Sequence, residues 1–160
     1  PRIANNLVVG APVGILYWHR SGARFGYRNL ELFHNVVFGP QRESVYIGSS
    51  GGVPVGPAVA ANNVFFGQGA AAPVLVEDHA VWTFRNNVYP SGVAPTLGRH
   101  EGNLVGDAGL RAASLDADPE AFRPAASSPL RGAGASTPLE TDFACRPRPA
   151  ERPTPGLFEP

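Results

Sequence analysis

An all-β fold is predicted by three observations. A short motif recurs along the chain, as "IANNLVVG" at 3–10, "LFHNVVFG" at 32–39, "AANNVFFG" at 60–67 and "FRNNVYPS" at 84–91, with a weaker copy, "HEGNLVGD", at 100–107. Apolar residues alternate with period two ahead of the motif's second Asn. They stand three residues before it at Ile3, Leu32, Ala60 and Phe84, and five before it at Leu30, Ala58 and Trp82, which is strand behaviour. The third observation is that 19 Gly and 17 Pro interrupt every window long enough to hold a helix.

Aligned on Asn6, Asn35, Asn63, Asn87 and Asn103, the copies lie 29, 28, 24 and 16 residues apart. Self-similarity at this period marks a solenoid. Strand–Asn–strand units of this length fit a right-handed parallel β-helix of about four to five coils. The repeated Asn then has a structural task. A bend between strands needs a left-handed backbone, which Asn tolerates better than any residue but Gly. Its amide can also bond to the Asn of the next coil, satisfying polar groups at a buried corner. One residue is thus expected to bend the chain and form a ladder. Gly10, Gly39 and Gly67 mark turns at strand ends.

The elements follow in order. Residues 1–107 read as the coils. "ILYWHRSGARFGYRN" at 15–29 is a strand and turn, 40–57 is an excursion with a strand at Ser44–Ile47, and 72–87 holds two strands around Glu77-Asp78-His79. The shorter last interval ends the solenoid. Residues 108–134 are expected to be a last partial coil and C-terminal cap, with a short helix near 118–123 that Asp118 caps and Pro119 starts. Residues 135–160 are an extended, Pro-rich tail packing along the solenoid or over its open end.

The Asn-Asn-aliphatic coils resemble the right-handed β-helix region shared by pectate-lyase-like proteins. "AFRPAASSPLRGAG" at 121–134 is similar to the closing segment of bacterial secreted β-helix proteins. "TDFACRPRPAERPTPGLFEP" at 141–160 resembles their ending, with Asp142, Arg146, Pro147, Gly156, Phe158 and Glu159 matching. Cys145 stands where Gly is more usual, and Leu157 departs from the common spacing. The resemblance covers nearly the whole chain. It implies a secreted or cell-surface protein and, as substrates, acidic polysaccharides for a lyase, epimerase or hydrolase.

Composition narrows the classes. Formal net charge is zero, and all 13 cationic side chains are Arg; nucleic-acid binding, which runs on clustered positive charge, is not expected. No apolar run approaches the ~20 residues of a membrane span. Cys145 is the single cysteine, so no internal disulfide forms. Residues 1–20 lack a signal-peptide layout, and the chain reads as the C-terminal portion of a longer protein. A monomer is expected.

Lyases and epimerases need a base and a cation that neutralises a carboxylate. "YWHRSGARFGYRN" supplies the candidates: His19 or Tyr17 as base, Arg24 for the carboxylate, Glu31 on the following strand, and Trp18, Arg20 and Arg28 for substrate, Trp18 by stacking on a sugar ring and the arginines by bidentate bonds. The competing reading is a coil with a solvated basic face and a core Trp. No Lys is present to act as base. The four His show no metal-ligand spacing, and His34 falls in the column of Asn5, Asn62 and Asn86, where a bend is expected. Glu77 and Asp78 are the one weak calcium pair, since no matching acidic pair recurs a coil away; otherwise no cofactor is expected. The sequence thus implies the C-terminal part of a secreted β-helix protein that binds or modifies uronate-containing polysaccharide. The alternative is a non-catalytic structural or glycan-binding β-helix.

Overall fold

A computed structural model describes residues 1–18, 25–48, 53–66, 74–76, 79–89, 98–111 and 113–160. The protein is all-β with parallel sheets. Its only helices among these residues are two 3-10 turns, His79–Val81 and Pro119–Phe122.

Ten strands form two five-stranded sheets. In chain order they are β1 (Arg2–Ala4), β2 (Leu7–Val9), β5 (Glu31–Phe33), β6 (Val36–Phe38), β9 (Ala58–Ala61), β10 (Val64–Phe66), β12 (Trp82–Arg85), β13 (Val88–Tyr89), β14 (Arg99–Glu101) and β15 (Leu104–Val105). The first sheet runs β1-β5-β9-β12-β14 and the second β2-β6-β10-β13-β15. A third sheet joins β3 (Val13–Trp18), β7 (Glu43–Gly48) and β11 (Val74–Val76), and a fourth pairs β4 (Phe25–Arg28) with β8 (Val53–Val55). All named pairs are parallel. The sequence motif sets the register: Leu32 pairs with Ile3 and with Ala60, while Val64 pairs with Val36 and with Val88.

Two residues join each strand of the first sheet to one of the second, and they divide the work that sequence reasoning assigned to one. The first takes the left-handed backbone: Asn5 (φ 52), His34 (φ 53), Asn62 (φ 58), Asn86 (φ 49) and Gly102 (φ 60). The second, with ordinary backbone, carries the ladder. Asn6 Nδ2 donates to Asn35 Oδ1 at 2.9 Å, Asn35 Nδ2 to Asn63 Oδ1 at 2.9 Å, Asn63 Nδ2 to Asn87 Oδ1 at 2.8 Å and Asn87 Nδ2 to Asn103 Oδ1 at 3.3 Å. A residue with a bent backbone aims its side chain away from the stack, so the two tasks fall on neighbours.

Period-two alternation makes two cores rather than one. Leu32, Ala60 and Phe84 from the first sheet and Val37, Phe65 and Tyr89 from the second meet Ile15, Val45 and Ile47 of the third. On the opposite face of the second sheet, Val36, Phe38, Val64 and Val88 pack against Ala108, Phe122, Leu130, Leu157 and Phe158. Ala108, Phe122 and Leu130, from the 108–134 region, thus lie against a face of the second sheet. The 3-10 turn Pro119–Phe122 brings Phe122 there. Asp118 caps it, accepting from Glu120 N at 2.8 Å.

Residues 135–160 close on themselves around Arg148. Its guanidinium donates to Glu159 Oε1 at 2.6 Å, to the carbonyls of Gly156 and Leu157 at 3.0 and 2.9 Å, and to Asn5 Oδ1 at 3.1 Å. Glu159 N donates to Asp142 Oδ2 at 3.0 Å. Desolvation lowers the Arg148 pKa and the Glu159 carboxylate opposes that shift.

Candidate functional site

β3 is an edge strand of its sheet, and its alternation decides which aromatic residues reach solvent. Ile15 is buried and Tyr17 packs on the core, its ring edge-on to buried Tyr27 at 6.1 Å. The intervening residues point outward: Leu16 is 61% and Trp18 57% exposed. Across the sheet Leu16 pairs with Tyr46 and Trp18 with Gly48. The Trp18 and Tyr46 rings stack at 5.4 Å with 12° between their planes. Gly48 leaves room for this, since a Cβ there would lie 3.0 Å from Trp18 Cε3 and 3.2 Å from Tyr46 Cε1. Tyr46 stacks on the indole and Gly48 lies beside its Cε3 and Cζ3, while Trp18 as a whole stays 57% exposed.

The sequence-derived residues within the described chain sit in different surroundings. Tyr17 belongs to the core edge, where it is poorly placed as a base. Trp18 is on the surface, so the expectation of a core Trp at this position is corrected; the core Trp is Trp82, whose Nε1 donates to Tyr27 Oη at 2.7 Å. Glu31 lies on the first sheet, in an ion pair with Arg2 at 2.8 Å. Arg28 is exposed at the end of β4. His19, Arg20, Arg24, Glu77 and Asp78 lie outside the described residues. Among the described residues no group of three or more His, Cys, Asp or Glu is placed to hold a metal ion, and no helix is long and apolar enough to cross a membrane.

Sequence reasoning missed Tyr46, Gly48 and Glu43. The period-two register of "ESVYIG" against "VGILYW" could have placed Tyr46 and Gly48 beside Leu16 and Trp18. Glu43 meets Arg42 at 3.3 Å through Oε1, while its Oε2 is buried with no hydrogen-bond partner among the described residues.

His34, read as a bend, has a further role. Asn62 Nδ2 lies 2.9 Å from its Nε2, and Gly156 O lies 3.2 Å from its Nδ1. An amide N–H can only donate, so Nε2 accepts and the proton sits on Nδ1. Burial, and then the Arg148 charge, push His34 down to about 3. Compared with protein-family models, curated proteins and solved structures, the chain matches none.

Proposed function

We propose that this chain is part of a right-handed parallel β-helix, of the pectate-lyase-like kind, that binds polysaccharide without reacting with it, on the outer face of the β3-β7-β11 sheet. The fold reading is supported by the two-residue bends, the strand order and the continuous Asn ladder. The binding reading is carried by one observation: Trp18 keeps more than half of its surface in water while stacked on Tyr46. An isolated exposed apolar residue is ordinary, but a supported aromatic stack with Leu16 beside it is a surface prepared for contact. Sugar rings present apolar C–H faces, which stack on an aromatic face while their hydroxyls stay hydrated. Binding in place of catalysis is favoured because Tyr17 packs on the core and Glu31 is engaged by Arg2. Secretion follows from the ligand's location.

The test is affinity electrophoresis through gels containing a panel of neutral and uronate-containing polysaccharides. Wild type is retarded by at least one, and Trp18→Ala loses about tenfold in affinity, equivalent to about 1.4 kcal/mol. Equal retardation of wild type and Trp18→Ala would place binding elsewhere. No retardation across the panel would remove the reading.

A further inference from the structure

The tail runs along the row of left-handed bend residues, and four of the five, Asn5, His34, Asn62 and Asn86, grip it. Asn86 Nδ2 donates to Ala133 O at 2.8 Å. Asn62 exchanges two bonds with Ala135, at 2.7 and 2.8 Å. His34 Nε2 is 3.2 Å from Thr137 Oγ1, and Asn5 Nδ2 donates to Thr141 O at 3.0 Å. The chain then doubles back, so that Gly156 O meets His34 Nδ1 and Gly156 N donates to Asn62 O at 2.8 Å. Of these four clasps three are Asn, whose amides do not titrate. The fourth is His34.

A proton on His34 Nε2 would set it against its Asn62 neighbour, while the Thr137 hydroxyl would have to turn from donor to acceptor. Two N–H donors would face each other across the 2.9 Å between Asn62 Nδ2 and Nε2. The amide cannot turn to relieve this, because Ala135 holds both its oxygen and its nitrogen. The new cation would also join Arg148, which donates to the same Gly156 carbonyl at 3.0 Å. The carboxylates nearby are already engaged. Glu159 accepts from Arg148 and from Thr154 N. Asp142 accepts from the backbone of Ala144, Arg146 and Glu159. From the sheet side the neighbouring groups are the neutral amides of Asn62 and Asn5.

We propose that residues 133–157 form a strap that acid releases, with His34 as its trigger. The sign follows from linkage. His34 is held neutral in the fold, so its contribution is fully present above the unfolded value of 6.5 and is lost as pH falls toward about 3. Release would uncover the bend residues and the part of the second sheet's face that Leu157 covers.

Cys145 is exposed, is the single cysteine and lies within the strap. It can therefore carry a pH-insensitive fluorophore whose anisotropy reports strap mobility. Wild type should lose anisotropy in one transition between pH 6 and pH 3. His34→Asn keeps a bend residue of the kind found at Asn62, and should move that midpoint down by at least about one pH unit. A shared midpoint, or no transition in wild type above pH 3, would overturn the proposal. Should His34→Asn fail to fold, the ring resonances of His34 in wild type decide. They should titrate in step with the anisotropy; titration with the strap still immobile overturns the trigger.

Discussion

Asn35 directs two donors at one atom of Asn63: its backbone N–H and its Nδ2 reach Asn63 Oδ1 at 3.0 and 2.9 Å. Asn63 in turn donates to Leu32 O at 2.9 Å and to Asn87 Oδ1 at 2.8 Å. Removing this amide from a fully buried corner leaves several polar groups unpartnered, each costing about 1–3 kcal/mol. Asn63→Ala is therefore expected to lose roughly 3–5 kcal/mol in urea unfolding. Asn6, exposed at the end of the ladder, should lose only about 1 kcal/mol on the same substitution. Equal losses would mean that the ladder does not extend through the interior.

The two arginines of "CRPRP" should behave differently. The Arg148 side chain is 1% exposed and ion-paired with Glu159, and breaking a buried pair typically costs about 3–5 kcal/mol. Arg146 is exposed and contributes its backbone N–H to Asp142. Arg146→Met should fall within about 0.5 kcal/mol of wild type, and Arg148→Met in the higher range. Chemical denaturation of both variants reads the contrast.

Two tyrosines predict changes of opposite sign. The Tyr89 hydroxyl is buried and makes no well-formed hydrogen bond among the described residues, the Asn87 side chain only partly offsetting the burial that pushes its pKa up. Tyr89→Phe keeps the stack on Phe65 and should raise stability by about 1 kcal/mol. Tyr27→Phe removes the acceptor of Trp82 Nε1 and should lower stability by about 1–2 kcal/mol. Thermal unfolding of the pair gives both signs in one experiment.

Cys145 holds φ 61, a backbone that favours Gly and disfavours other L residues by about 1–2 kcal/mol. Cys145→Gly should accordingly stabilise the protein by about 1 kcal/mol. A loss of stability in unfolding measurements would show that the thiol makes a contact outweighing the backbone strain.

The parallel sheets were legible because identical spacing in the motif copies brings like residues into register. Asn6, Asn35, Asn63, Asn87 and Asn103 could be aligned by eye. The division of labour with the preceding residue could not, because Asn is suited to both a left-handed bend and a ladder. His34 was legible as a bend from its column alone, but its contact with Gly156 joins residues 122 apart, and no local pattern reports that. For the same reason "RPRP" gave no sign that Arg148 rather than Arg146 enters the core. The surface pairing of Trp18 with Tyr46 depends on the β3–β7 register, which the composition of "YWHR" leaves open. Composition also made Tyr17 and Trp18 neighbours in sequence, while strand alternation turned the first to the core and the second to solvent.

Calorimetric titration of the polysaccharides retained in the gels, into wild type and into Trp18→Ala, tests binding without reaction most directly. Discrete, saturable heats that return to baseline in wild type and disappear in Trp18→Ala are the expected result. Sustained thermal power after each injection, the signature of turnover, would contradict it, and so would saturable heats that survive the loss of Trp18.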